Sequence, residues 1–178
     1  MPNPALWRQP LCLAPRPLRP WLAARGSLTA RLKAHVSRFQ VRVLQQDWQV
    51  AHRDEWQALH LPHQGIQVAT REVLLMDGST PLVFAHSITL RSALRGGFKL
   101  FDRIGSRPLG ESLFADPTIT RSPLAWCCID RRHPLWIKAK AATGTLPPRL
   151  WARRSLFHAG RDRLLVTELF LPATEALS

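Results

Sequence analysis

A single carboxylate stands inside the apolar run Leu164-Leu165-Val166-Thr167-Glu168-Leu169-Phe170-Leu171-Pro172. Read as a strand, the run sends Leu164, Val166, Glu168 and Phe170 to one face and Leu165, Thr167, Leu169 and Leu171 to the other. Glu168 therefore shares a face with core residues. Burying an unpaired carboxylate costs several kcal/mol, roughly, so the fold must supply a cation or hydrogen-bond donors, or leave the group at the edge of a cavity. An edge-strand Glu leaning into water explains the segment equally well. The other chemically reactive side chains are less informative. Three cysteines, with Cys127 and Cys128 adjacent, match neither a disulfide framework nor a metal-ligand spacing and read as buried or reduced thiols.

Net charge is the strongest compositional signal, with 25 Lys and Arg against 12 Asp and Glu. Such a surplus suits nucleic acid, an anionic membrane or a small dianion. The arginines are scattered between apolar and Pro residues, Tyr is absent, and the Trp and Phe residues mostly sit within apolar runs. Stacking platforms interleaved with basic residues are therefore missing, and nucleic-acid binding is not expected. No stretch approaches the ~18 uncharged apolar residues of a membrane span, and the N-terminus lacks the compact apolar stretch of a signal peptide. A cytoplasmic protein, not a membrane protein, is expected. With 46% apolar and 21% charged residues in 178, the chain can bury a real core.

The elements that must position Glu168 follow from periodicity. Residues 1–20 hold Pro2, Pro4, Pro10, Pro15, Pro17 and Pro20, which predicts an irregular lead lying on the surface, followed by one domain over 21–178. A short helix around Trp21 and Leu22 precedes Gly26, and Ser27 can cap a second carrying Leu28, Leu32, His35 and Val36 on one stripe. Phe39, Val41 and Val43 announce a strand, and a further extended piece runs through Trp48 and Val50. After a loop around Leu61-Pro62-His63-Gln64-Gly65, Ile66 to Met76 and Pro81 to Leu90 form a hairpin about Asp77-Gly78. Residues 91–116 read as turns and short helices, and Ile119 to Ile129 as extended. Asp130 to Arg149 is a basic, Pro-containing excursion, expected as an exposed loop. Leu150 to Phe157 then pairs with the Glu168 strand through Ala159-Gly160-Arg161-Asp162. Helices followed by hairpin-linked strands define an α+β domain, an antiparallel sheet with helices covering one face.

Four stretches stand in a recognisable order: Arg71-Glu72-Val73-Leu74-Leu75 with Asp77-Gly78; Pro108-Leu109-Gly110 with Leu113-Phe114; Arg153-Arg154-Ser155; and Thr167-Glu168-Leu169-Phe170-Leu171-Pro172. Together they resemble the chorismate lyase family of ubiquinone biosynthesis, from about Trp21 to about Ala173. The resemblance implies a single domain with a ligand buried beneath helical flaps. It also implies elimination of pyruvate from chorismate to give 4-hydroxybenzoate, with no cofactor and no metal, most simply by a monomer. By resemblance Arg71 holds the ring carboxylate, for which a planar guanidinium offers two parallel hydrogen bonds, and Glu168 meets the ring hydroxyl. Leu28 and Leu109 match positions that contact the ligand largely through backbone groups. Arg153 and Arg154 are candidates for the second carboxylate, but adjacent strand residues face opposite ways, so at most one easily enters. His86 stands where relatives often have Arg, and reads as a packed core histidine. A sensor of the same fold is the rival reading; such regulators carry an N-terminal winged helix, for which the lead has no room.

Overall fold

The computed structural model describes residues 7–61 and 65–177. Two hairpins form the centre of the sheet. In the first, β2 (Gln67–Asp77) returns as β3 (Thr80–Thr89); in the second, β6 (Arg149–Ala159) returns as β7 (Asp162–Phe170). Gly78 and Gly160 turn these corners at φ 54° and 59°, values that glycine adopts without a Cβ penalty. β3 pairs with β7 and joins the hairpins; β1 (Phe39–Val50) adds to β2, and β4 (Ile119–Arg121) and β5 (Ala125–Asp130) both add to β6. All seven strands pair antiparallel. The α+β class expected from the sequence is the fold observed.

The period of two sorts the strands into two faces. Val73, Leu75, Ala85 and Phe170 pack with Trp21 and Leu22 of α1 (Arg19–Ala23) and with Leu28 and Leu32 of α2 (Leu28–His35). Leu113 of α4 (Leu109–Ala115) closes the same face over Phe157 and Leu164. To the helices expected on one face the structure adds two on the other. There α3 (Arg53–Leu59) sets Leu59 against Val68, Ile88 and Leu165, and α5 (Pro134–Thr143) sets Leu135, Trp136 and Ala139 against Leu74, Phe84, Ala152 and Leu169.

Three expectations need correction. The 130–149 excursion is not an exposed loop, because it contains α5. The His133 imidazole accepts the Leu135 N–H at 3.2 Å, and Pro134 occupies the first turn, where its missing N–H costs nothing. From Trp7 on the lead is not a surface tail, since Trp7, at 3% exposure, and Ala14 and Leu18 are all buried. Pro10 and Pro15 precede 3-10 turns at Leu11–Leu13 and Arg16–Leu18 rather than leaving that stretch irregular. The two extended pieces between Phe39 and Val50 are one strand, with a register shift between Val43 and Gln45. Pro62, His63 and Gln64 of the expected loop lie outside the described residues. No described helix is long and apolar enough to cross a membrane.

Candidate active site

On the face covered by α1, α2 and α4, a cavity is lined by Leu28, Arg71, Leu109 and Glu168, all four residues singled out in the sequence. Register explains their convergence. Arg71 lies opposite Ser87, Ser87 opposite Val166, and Glu168 two residues beyond Val166. At about 4.8 Å between strands and 3.4 Å per residue, the Arg71 and Glu168 Cα atoms are about 12 Å apart. Val73, Leu75, Ala85 and Phe157 supply apolar wall.

Arg71 is 2% exposed. Its guanidinium donates to Gln46 Oε1 at 2.9 Å and to the carbonyl oxygens of Gly105 and Arg107 at 2.8 and 3.3 Å. Among the described residues these acceptors are all neutral. Burial without a counter-charge pushes its pKa down.

Glu168 pairs with its cross-strand neighbour Arg153, whose Nε donates to Oε2 at 2.5 Å. Arg153, 1% exposed, also donates from Nη1 to the carbonyls of Trp21 and Ala24 at 2.9 and 2.8 Å. These bonds tie the end of α1 to the cavity. Arg154 points the other way, to Asp54 Oδ2 at 3.3 Å with its guanidinium over the Trp7 ring. Strand parity thus leaves one of the two arginine candidates in the cavity.

Arg121 was not singled out in the sequence. It sits on the three-residue β4, donates to Ser155 Oγ and to the Arg25 carbonyl, each at 2.7 Å, and lines the cavity beside Phe114. Burial, and then repulsion from Arg153, lower its pKa to about 10, against attraction from Glu168. A lone Arg in a short extended segment carries no periodic signal that would have revealed it.

The cavity roof is two helix starts. Ser27 accepts the Ala30 N–H at 3.3 Å and so begins α2 at Leu28; Leu109 begins α4 after Pro108. A Cβ on Gly110 would lie 3.6 Å from both Ser27 Oγ and Thr29 Oγ1, so the two helices nearly touch there. Outside, Lys33 Nζ meets Glu111 Oε1 at 2.6 Å and bridges α2 to α4.

His86 lies on the opposite face, with Nδ1 3.0 Å from Glu72 Oε1 and Nε2 2.9 Å from Glu55 Oε1. Burial disfavours its charged form, but Glu55 and then Glu72 outweigh that and raise its pKa to about 9. It is a packed histidine away from the cavity. Burial likewise raises the Cys127 thiol and, less completely, that of half-buried Cys128.

Three arginines against one glutamate leave the cavity with a formal excess of two positive charges. Sheet, roofing helices and charge together define an α+β domain built around a cavity of positive formal charge. Comparison narrows this: the profile described as chorismate lyase matches residues 1–177, and the chain belongs to that family. A protein of Aromatoleum aromaticum named "Probable chorismate pyruvate-lyase" is 49% identical over 96% of this chain and 94% of its own length. One of the same name from Nitrosomonas eutropha is 44% identical over 98% of both. Among solved structures, the effector domain of PhnF from Mycobacterium smegmatis superposes with TM-score 0.55 at 9% identity, covering 85% of this chain and 90% of that one. A GntR-family regulator from Bacillus cereus gives 0.53 at 12%, over 78% and 94%. At such identities these two likenesses concern the fold alone.

Proposed function

We propose that the protein is a cytoplasmic chorismate pyruvate-lyase, acting as a monomer to form 4-hydroxybenzoate for the ubiquinone ring. The observation that carries this reading is the enclosed cavity with two more cations than anions, in a chain whose relatives bear that enzyme's name. Chorismate has two carboxylates and one hydroxyl. Arg71 stands at one end among neutral acceptors, free to bind the ring carboxylate in place of bonds that carry no opposing charge. Glu168 stands about 12 Å away by strand geometry, across the sheet rather than on Arg71, as a molecule held end to end requires. The hydroxyl meets Glu168, and the enolpyruvyl carboxylate turns toward Arg153, the arginine that strand parity leaves in the cavity.

In the reaction the ether C–O bond breaks, the neighbouring ring carbon loses its hydrogen, and the ring becomes aromatic. Two routes balance. The ring proton can pass to a base at Glu168, with enolpyruvate later taking a proton to become pyruvate; or that hydrogen can pass directly to the enolpyruvyl methylene. Both rely on the protein to hold one conformation in a dry site under the α2 and α4 flaps. The same enclosure slows departure of the aromatic product.

The test is incubation of purified protein with chorismate, following 4-hydroxybenzoate and pyruvate together. Absence of turnover across pH and ionic strength overturns the proposal, and binding of chorismate without turnover would assign the chain to sensing instead. Deuterium on the ring carbon bearing the hydroxyl separates the routes, since direct transfer retains it in the pyruvate methyl group.

A further inference from the structure

Behind the cavity, on the face that carries α3, three side chains bring one ligating atom each within 4.8 Å of one another: His52, Glu55 and His86. His52 precedes α3, Glu55 lies in its first turn, and His86 reaches across from β3. Glu55 and His86 are each 2% exposed, whereas His52 keeps 17% of its side chain open and supplies a route from solvent. The two imidazoles stack at 5.6 Å between centroids with 20° between their planes.

The contacts among them are close but poorly aimed. Glu55 Oε1 is 2.9 Å from His86 Nε2, and Oε2 is 3.3 Å from His52 Nδ1. Even so, Glu55 Oε1 and His86 Nε2 are buried without a hydrogen bond of acceptable geometry among the described residues, and His52 Nδ1, equally buried, has only the capping approach of the Glu55 backbone N–H. Buried polar atoms left this way carry a desolvation cost, so their convergence calls for a ligand. The other atoms of these groups are already engaged. Glu55 Oε2 accepts the His52 backbone N–H at 2.7 Å, His86 Nδ1 faces Glu72 Oε1, and Lys138 Nζ holds Glu72 from behind at 2.5 Å. A carboxylate on the far nitrogen of an imidazole is what fixes the tautomer and aims the near nitrogen at a metal.

We propose that His52 Nδ1, Glu55 Oε1 and His86 Nε2 form a site for a divalent transition-metal ion of the zinc class, oriented by Glu72. Two imidazoles and one carboxylate suit that class and leave a fourth position for water, whereas calcium and magnesium demand more oxygen donors. The ion displaces the proton from His86 Nε2 and ties α3 to β3. It lies outside the cavity and takes no part in the chemistry there, so the proposal stands or falls separately from the lyase reading.

Metal-free protein without a histidine tag is titrated with Co2+, then Zn2+, with Mg2+ as the control. The expected result is one equivalent of Co2+ per chain, with the visible absorption of a four-coordinate site, displaced by Zn2+ and absent with Mg2+. His52→Ala, at the partly open ligand, should weaken binding at least ten-fold, and Glu55→Gln, nearly isosteric, should do the same with the fold verified by circular dichroism. His158→Gln should leave affinity unchanged. No saturable binding, affinity unchanged in His52→Ala and Glu55→Gln, or an equal loss in His158→Gln overturns the site.

Discussion

The two faces of one sheet treat buried charge in opposite ways. On the cavity face Arg71, Arg121 and Arg153 share a single acid, and much of their hydrogen bonding goes to backbone carbonyls and neutral side chains. On the far face the buried acids stand beside basic side chains: Asp54 by Arg154 at 3.3 Å and Glu72 by Lys138 at 2.5 Å, while Glu55 lies 2.9 Å from the imidazole of His86. The same strands build both. Arg71 and Glu72 are neighbours on β2, as are Arg153 and Arg154 on β6, and the pleat sends each pair apart. A one-residue slip would exchange the two chemistries, so the core that pins the register also protects the cavity. Matched charge holds structure, whereas unmatched charge must be held by structure, as the proposed anionic ligand would require.

The comparison breaks most visibly at Asp54, whose Oδ2 accepts the Trp7 indole N–H at 2.9 Å and faces both Arg154 and His133. Asp54→Ala leaves the largely buried Arg154 guanidinium without its acid and removes the Trp7 tie between the lead and the far face. Urea denaturation should show stability lowered by about 3 kcal/mol, with turnover per folded molecule unchanged. A loss below about 1 kcal/mol would mean that the far face is not structural in the sense argued. Arg71→Ala is the converse. Product affinity measured by calorimetry should fall by more than ten-fold, in line with about 1.5–3 kcal/mol for hydrogen bonds to a charged group, while stability changes less than in Asp54→Ala. Unchanged affinity removes Arg71 from the site.

How far this division was legible in the sequence depends on the element. Alternation alone placed Glu168 among core residues and limited Arg153 and Arg154 to one cavity residue between them. Which parity faced inward could not be read, because it is decided by pairing with β7 and by the helices laid over it. Helix α5 was missed because a basic, Pro-containing segment reads as an exposed loop; yet Pro134 sits in its first turn and Lys138 reaches back to Glu72 and Gln49. The far-face cluster was invisible for a plainer reason. His52 and Glu55 form an ordinary helix start, and their partner His86 belongs to a strand whose nearness follows only from the folded sheet.

Glu168 sharpens the contrast because, among the described residues, it is the one acid lining the cavity, already held by Arg153. Glu168→Gln keeps the shape and an acceptor oxygen but removes the charge. If the carboxylate takes the ring proton or orients the hydroxyl in the transition state, kcat should fall about ten-fold, equivalent to about 1.4 kcal/mol, with KM nearly unchanged. A rise in KM alone would make Glu168 a binding group only.

The smallest expected effect concerns the flaps, where charge is matched again but in solvent. Lys33 and Glu111 are 45% and 40% exposed, and a pair of that kind contributes about 0.2–1 kcal/mol. Because it spans α2 and α4, the two helices that roof the cavity, its small energy is expected to act on parting of that roof more than on global stability. Lys33→Ala should speed release of 4-hydroxybenzoate by a factor of about two to five, measured by stopped-flow displacement, and 0.5 M salt should give the unsubstituted protein much of the same gain. Stability should move by less than about 0.5 kcal/mol. Release that is indifferent to both changes would show that α2 and α4 do not part along this seam, and would leave the Ser27, Thr29 and Gly110 contact as the feature that governs opening.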